Sequence, residues 1–275
     1  MEDLLRAAAL GIVQGLTEFL PISSSGHLIL TRELFGWEFA NDLTFDVALH
    51  LGTTLALVAY FWREWLQMLR SGTRWLAAGG RDPDPVSVYG SRLLFLLFIG
   101  SLPAAVVGFI FDNWVEEKVR SPFVVGAMLI TFGLALLAAE NLGRRLRAID
   151  SCGWRDVLWI GAAQAVSLVP GVSRSGVTIS AALGRGFSRQ EAARLSFLLA
   201  TPVIVGAGTL KLSEALVDGI PGEDVGTILL GAAVAAAVGW LAIHYLLRLV
   251  KSGTYLPFVA YRLLAGVFVL VYFAT

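Results

Sequence analysis

Two short polar runs interrupt the apolar parts of this chain, and both hold residue types that handle phosphate. The first is Ser23-Ser24-Ser25-Gly26-His27, with Gln14 and Glu18 upstream at a spacing that puts both on one helix face. The second is Pro170-Gly171 followed by Ser173-Arg174-Ser175-Gly176, with Thr178 just beyond. The planar fork of Arg174 matches phosphoryl oxygens. Gly26 and Gly171 let backbone approach an anion. A helix starting at either break would aim its free N–H groups and positive dipole end at the same place. A serine hydroxyl attacks phosphorus when a nearby base accepts its proton. His27 titrates near neutrality and is a candidate base or acid. Glu18 could orient His27, act as the base itself, or hold a metal ion. Each feature also has a plainer reading. The serine-rich breaks could be simple helix interruptions, Arg174 a counter-ion for Glu18, and His27 a packed polar residue.

The elements that must position these residues are hydrophobic. Of 275 residues, 56% are hydrophobic and 15% charged, against about 25% charged in soluble domains. The composition indicates an all-α integral membrane protein. Zero formal net charge gives no encouragement to a nucleic-acid partner. One cysteine, Cys152, excludes a disulfide framework and a thiolate metal site. The acidic start, Glu2 and Asp3, does not resemble a cleavable signal peptide.

Six stretches approach the length of a membrane-spanning helix: residues 46–62, 89–111, 122–139, 195–210, 225–247 and 255–275. The longest connection, 63–88, carries Arg63, Arg70, Arg74, Arg81 and a turn at 82–85. Residues 4–30 and 154–183 are apolar but broken at the two polar runs, which predicts two re-entrant hairpins. Gln14 and Gln164, Ser23 and Ser173, Ser25 and Ser175, and Gly26 and Gly176 share one offset of 150. The chain thus reads as a single membrane domain with an inverted-topology repeat. Each unit is a hairpin plus three spans, at about 1–145 and 150–275. Arginines crowd the loops of one face, so the first hairpin and both termini are expected on the external face. Arg194 and Arg262 are read as snorkelling at span ends, His50 as a satisfied polar group, and His244 as interfacial. Tryptophans such as Trp37, Trp62, Trp65 and Trp154 fit an interfacial belt.

The segments Gln14-Gly-Leu-Thr-Glu18-Phe-Leu-Pro21-Ile-Ser-Ser-Ser-Gly-His27 and Pro170-Gly-Val-Ser-Arg174-Ser-Gly-Val-Thr178 resemble the two signature motifs of the undecaprenyl-pyrophosphate phosphatase, or bacitracin-resistance, family. Both fit without gaps, and the order of hairpins and spans matches over essentially the whole chain. The resemblance implies hydrolysis of undecaprenyl pyrophosphate to the monophosphate and inorganic phosphate in the bacterial cytoplasmic (inner) membrane. Bacitracin would compete by sequestering that substrate. It implies Ser24, His27, Glu18 and Arg174 as catalytic residues. Gln14, Ser23, Ser25, Gly26, Gly171, Ser173, Ser175 and Thr178 would support the substrate. It also implies a divalent cation, Mg2+ or Ca2+. Gln14 stands where the family accepts Glu or Gln, so Glu18 is the one convincing carboxylate ligand, and an ion would lean on substrate phosphates and water. The nucleophile, Ser24 or a water, stays open, as does a homodimer.

Two rivals differ in kind. A secondary transporter or flippase shares inverted repeats and broken helices but needs no nucleophile beside a base. The phosphatidate-phosphatase class wants a histidine six positions after Arg174, where this chain has Ser180, so that pattern fails.

Overall fold

The computed structural model describes residues 2–37, 42–81, 87–218 and 225–274; the turn expected at 82–85 lies outside them. With no water at membrane depth, backbone groups must pair within their own segment, which favours helices. Among the described residues the regular elements are helical. Helices α1 (Glu2–Phe19) and α2 (Ser24–Phe35) form the first hairpin. Then come α3 (Asp42–Tyr60), α4 (Trp62–Ala77), α5 (Ser91–Lys118) and α6 (Pro122–Leu142). The second hairpin is α7 (Trp154–Val166) and α8 (Arg174–Gly184), followed by α9 (Arg189–Asp218), α10 (Val225–Ser252) and α11 (Leu256–Tyr272).

Four segments are individually long and apolar enough to cross a bilayer: Ser91–Phe111, Pro122–Leu142, Arg189–Lys211 and Val225–Ser252. Helix α3 meets that standard together with α4, from which it is bent by 70°. Helix α11 is apolar but only 17 residues long, roughly 26 Å at 1.5 Å per residue. The chain is a multi-pass membrane protein with two broken-helix hairpins.

One element departs from the sequence reading. Residues 62–77 are a helix, not an irregular connection. Met68, Ser71 and Gly72 form its buried side, while its arginines point away. Low mean hydropathy conceals an amphipathic period of this kind, because polar and apolar residues cancel in the average.

The two halves exchange partners. Helix α1 packs on α10, and its counterpart α7 packs on α5. Helix α3 meets α9, and α6 meets α11. Close approach in lipid depends on small residues at the crossing. Gly11 and Gly161, also 150 residues apart, make equivalent crossings. A methyl group on Gly11 would lie 2.6 Å from the Gly231 carbonyl oxygen, and one on Gly161 would overlap the Gly100 carbonyl oxygen.

The end of the bundle away from the first hairpin's break is tied by ion pairs. Glu64 of α4 accepts from Arg194 of α9 at 2.8 Å. Glu140 of α6 accepts from Arg189 at 2.5 Å. Asp156 accepts from Arg147 at 2.6 Å and from Arg185 at 2.7 Å. Arg194 is therefore paired rather than snorkelling. Its guanidinium also sits 5.7 Å from the Tyr89 ring centre.

The glycine crossing yields a measurable expectation. Gly161→Ala should lower the thermal unfolding midpoint in detergent, at a cost of about 1–3 kcal/mol for overpacking. Gly206→Ala, where nothing lies within 4 Å, should leave the midpoint unchanged. Equal midpoints for the two variants would contradict the close α5–α7 contact.

Candidate active site

Both hairpins break at a serine with an unusual backbone. Ser23 has φ 78° and Ser173 φ 72°. Positive φ is costly for a residue with a Cβ, on the order of 1–3 kcal/mol. Each strained serine sits immediately before the first residue of its second half-helix, α2 or α8. Ser173 Oγ accepts the Gly176 N–H at 3.1 Å and so caps α8. Ser23 Oγ accepts the Gly171 N–H from the other hairpin at 3.1 Å. In the opposite direction, Ser175 Oγ donates to the Leu20 carbonyl at 3.0 Å. Gly171 has φ +93°, and a Cβ there would meet the Val125 carbonyl oxygen at 2.6 Å, so glycine is required twice over.

Arg262 of α11 ties these breaks together. It has no exposed surface. Its guanidinium donates to the carbonyls of Pro21 at 3.1 Å, Gly171 at 3.0 Å and Val172 at 3.0 Å. It also reaches the carbonyls of Leu129 at 3.2 Å and Met128 at 3.3 Å on α6. The snorkelling expected for Arg262 is thus wrong. Broken helices leave carbonyls unsatisfied, and a five-donor fork at membrane depth satisfies them better than water-seeking would.

The cross-tied breaks bring three of the candidate residues onto the carboxylate of a fourth, Glu18. Glu18 accepts from Ser24 Oγ at 2.6 Å and from Gln14 Nε2 at 3.2 Å through Oε2. Its Oε1 accepts from Arg174 Nη2 at 2.8 Å. Gln14 is fully buried and Glu18 nearly so. Arg174 Nη1 is buried without a hydrogen-bond partner among the described residues, a donor in reserve for an anion. The repeat is broken where the chemistry sits. At the 150-residue offset, Ser24 answers Arg174, Glu18 answers Leu168, and His27 answers Val177. Gln164 repeats Gln14 but lacks the acid, and both of its buried amide atoms have no hydrogen-bond partner among the described residues.

The remaining candidates take other places. His27 does not bond Ser24. Its Nδ1 meets the Ser23 carbonyl oxygen at 2.6 Å and its Nε2 meets the Tyr261 hydroxyl at 2.7 Å. The carbonyl can only accept, so Nδ1 carries a proton, and in the neutral ring Nε2 accepts from tyrosine. The expected orientation of His27 by Glu18 is likewise absent. Gly26 packs between Val125 and Gly171. Thr178 turns back to its own helix and to Ser196 Oγ at 2.6 Å, away from Glu18. Ser25 lines a cavity of about 310 Å³ with Asp46, His50, Arg120, Pro170 and Lys211. Val47, Leu168, Val203 and Ile204 give it apolar walls.

Sequence reasoning undervalued His50. It lines the cavity, and its Nε2 lies 3.9 Å from Glu18 Oε2. Its Nδ1 is anchored at 2.9 Å on the Asp46 carbonyl. The available signal was a histidine one helical turn after Asp46 in an otherwise apolar span. Asp46 itself is held in a two-pronged pair by Arg32 at 2.9 and 2.7 Å.

A resident ion is not well served by these side chains. Among the described residues no three His, Cys, Asp or Glu groups converge as an ion cage requires. Glu18, the expected ligand, already has both oxygens bonded by Ser24, Gln14 and Arg174.

The clamp can be tested separately from the chemistry. Arg262→Gln leaves several buried carbonyls unsatisfied, so stability should fall by on the order of 3 kcal/mol or more. A lowered unfolding midpoint with helix content retained by circular dichroism is the expected result. An unchanged midpoint would show that the breaks hold without it.

The chain is similar along nearly its whole length to known proteins. The family model described as "Bacitracin resistance protein BacA" matches residues 7–268. A protein of Geobacter sulfurreducens named undecaprenyl-diphosphatase is 46% identical over 271 residues, covering 98% of both chains. One of Stutzerimonas stutzeri, named undecaprenyl-diphosphatase 2, is 45% identical over 275 residues and 99% of both chains. One of Rubrobacter xylanophilus, again named undecaprenyl-diphosphatase, is 44% identical over 95% of both chains. With a family match and full-length relatives of this similarity, the chain belongs to the bacitracin resistance protein BacA family.

Proposed function

We propose that this protein hydrolyses undecaprenyl pyrophosphate to undecaprenyl phosphate and inorganic phosphate, returning the lipid carrier to cell-wall synthesis. The observation that carries the reading is the Ser24–Glu18–Arg174 cluster, a hydroxyl on a carboxylate beside an unspent guanidinium donor. The activity for which the full-length relatives are named supports it.

Ser24 Oγ attacks the terminal phosphorus, and its proton passes to Glu18 Oε2. The bond between that phosphorus and the bridging oxygen breaks, and undecaprenyl phosphate leaves. Glu18 hands that proton to the departing undecaprenyl phosphate, takes another from the water that attacks the phosphoserine, and returns it to Ser24 Oγ as that P–O bond breaks and inorganic phosphate leaves. Arg174 Nη1 donates to the phosphoryl oxygens as charge builds on them. His27 props the strained Ser23 carbonyl, so it serves this scheme as a positioning group. His50 faces the same carboxylate from the cavity. A divalent cation, Mg2+ or Ca2+, would enter with the pyrophosphate oxygens rather than reside on the protein. The competing version, in which Glu18 activates a water and Ser24 only donates, uses the same cluster.

The cavity mouth and both termini are assigned to the external face of the bacterial inner membrane, from the arginine-rich loops at the other end. There bacitracin would compete by sequestering the lipid pyrophosphate. A homodimer fits a membrane domain of this kind but has no residue of the cluster depending on it.

Purified protein should release inorganic phosphate from undecaprenyl pyrophosphate. Arg174→Lys should lose most of that activity, on the order of 3 kcal/mol of transition-state stabilisation, because a point charge cannot reproduce the fork. Lipid movement without phosphate release would favour the transporter reading, and near-normal turnover with lysine would reduce Arg174 to a counter-ion. For orientation, single cysteines at Glu2 and Arg145 should label from opposite sides of the membrane; labelling from one side would undo the assignment.

A further inference from the structure

Among the described residues, helix α4 is the one long element without a counterpart in the second half of the chain. It carries three distinct stripes. At 100° per residue, Met68, Ser71 and Gly72 share the side that packs on α5. Trp62, Leu69 and Leu76, spaced by seven, are 52%, 49% and 67% exposed and form an uncovered apolar stripe. Arg63, Arg70 and Arg74 form a third stripe, all exposed. None of these three arginines has an ion-pair partner among the described residues, while Glu64 on the same helix is taken by Arg194. Arg63 only overlies the Trp62 ring, 5.4 Å from its centre.

The position of the helix says what covers these stripes. Helix α4 turns 70° from α3. It packs on the first turns of α5, where Trp75 meets Phe95 edge-on at 4.9 Å. Phe98 and Leu102, further along α5, are 50% and 58% exposed and belong to the lipid-facing belt. Helix α4 thus lies across the end of that belt, opposite the end of α5 that reaches the cavity at Val115. A helix lying in the interface buries its apolar stripe in the acyl boundary and offers its cations to headgroups.

We infer that α4 is an interfacial anchor whose Arg63–Arg70–Arg74 stripe binds the phosphates of anionic phospholipids. A zwitterionic headgroup would leave three adjacent positive charges uncompensated, whereas an anionic one neutralises them. The anchor also has a mechanical consequence. Only Phe61 separates α4 from α3, so holding α4 at the headgroups fixes the depth of the helix that carries Asp46 and His50.

The test uses the full chain, purified and equilibrated with an equimolar mixture of phosphatidylglycerol and phosphatidylcholine, then read by native mass spectrometry. Wild-type protein should retain phosphatidylglycerol selectively. The triple variant R63Q/R70Q/R74Q should lose that preference by roughly fivefold per arginine at low ionic strength. A variant neutralised at Arg248 and Lys251 on α10 should keep it. Phosphate release in detergent should be unchanged in both variants, which establishes folding. A wild-type preference that high salt erodes supports the stripe without any mutation. The inference is overturned if the triple variant retains phosphatidylglycerol as wild type does. It is overturned equally if millimolar inorganic phosphate displaces the lipid where an equal ionic strength of chloride does not. Binding of a polyglutamate peptide with no lipid preference would assign the stripe to an acidic protein instead.

Discussion

A fully buried guanidinium stands where two broken helices meet, and much of the molecule is arranged around that fact. Each hairpin break exposes carbonyls that no helix can satisfy, in surroundings with little water to substitute. Arg262 gathers those of Pro21, Gly171 and Val172 and fastens them to α6. The desolvation cost of such a cation is large, and it is tolerable only because each donor finds an oxygen. Two serines are held at positive φ as a consequence, next to the first residues of α2 and α8. Those first residues are Ser24 and Arg174. The strain and the clamp thus serve one end, which is to deliver a hydroxyl and a guanidinium to the same carboxylate.

An internal repeat supplies the frame, and departures from the repeat supply the chemistry. Gly11 and Gly161, Ser23 and Ser173, and Gly26 and Gly176 are kept in both halves, and they govern helix crossing and backbone shape. Glu18, Ser24, His27 and Arg174 have no like residue at the matching position 150 residues away. The two breaks meet in one cluster, with an acid and a hydroxyl from the first and a cation from the second. Helix α3 then contributes His50 from outside both hairpins, a residue that lines the cavity and comes within 3.9 Å of the carboxylate.

The hairpins, four of the six expected spans and the convergence of Ser24 with Arg174 were legible in the sequence, because apolar length and a fixed offset survive without coordinates. The hydrogen bonds of His27 were not. Spacing along a helix put it one turn from Ser24, but the strained Ser23 carbonyl lies nearer and Tyr261 arrives from a helix 234 residues away. Arg262 was misread for a related reason. A lone arginine in an apolar span has two fates, water or buried carbonyls, and only the position of the breaks decides between them. Helix α4 was hidden by averaging, since its arginines and its apolar residues alternate around the axis rather than along the chain.

The central claim is that Ser24, activated by Glu18, forms a bond to phosphorus. The stereochemistry of phosphoryl transfer tests it most directly, using undecaprenyl pyrophosphate made chiral at its terminal phosphorus with sulfur and oxygen isotopes and hydrolysed in isotopically labelled water. Two successive in-line displacements, first by Ser24 and then by water, give net retention of configuration at the released phosphorus, and retention is the expected result. Inversion would mean a single attack by water, and would leave Ser24 as a hydrogen-bond donor only.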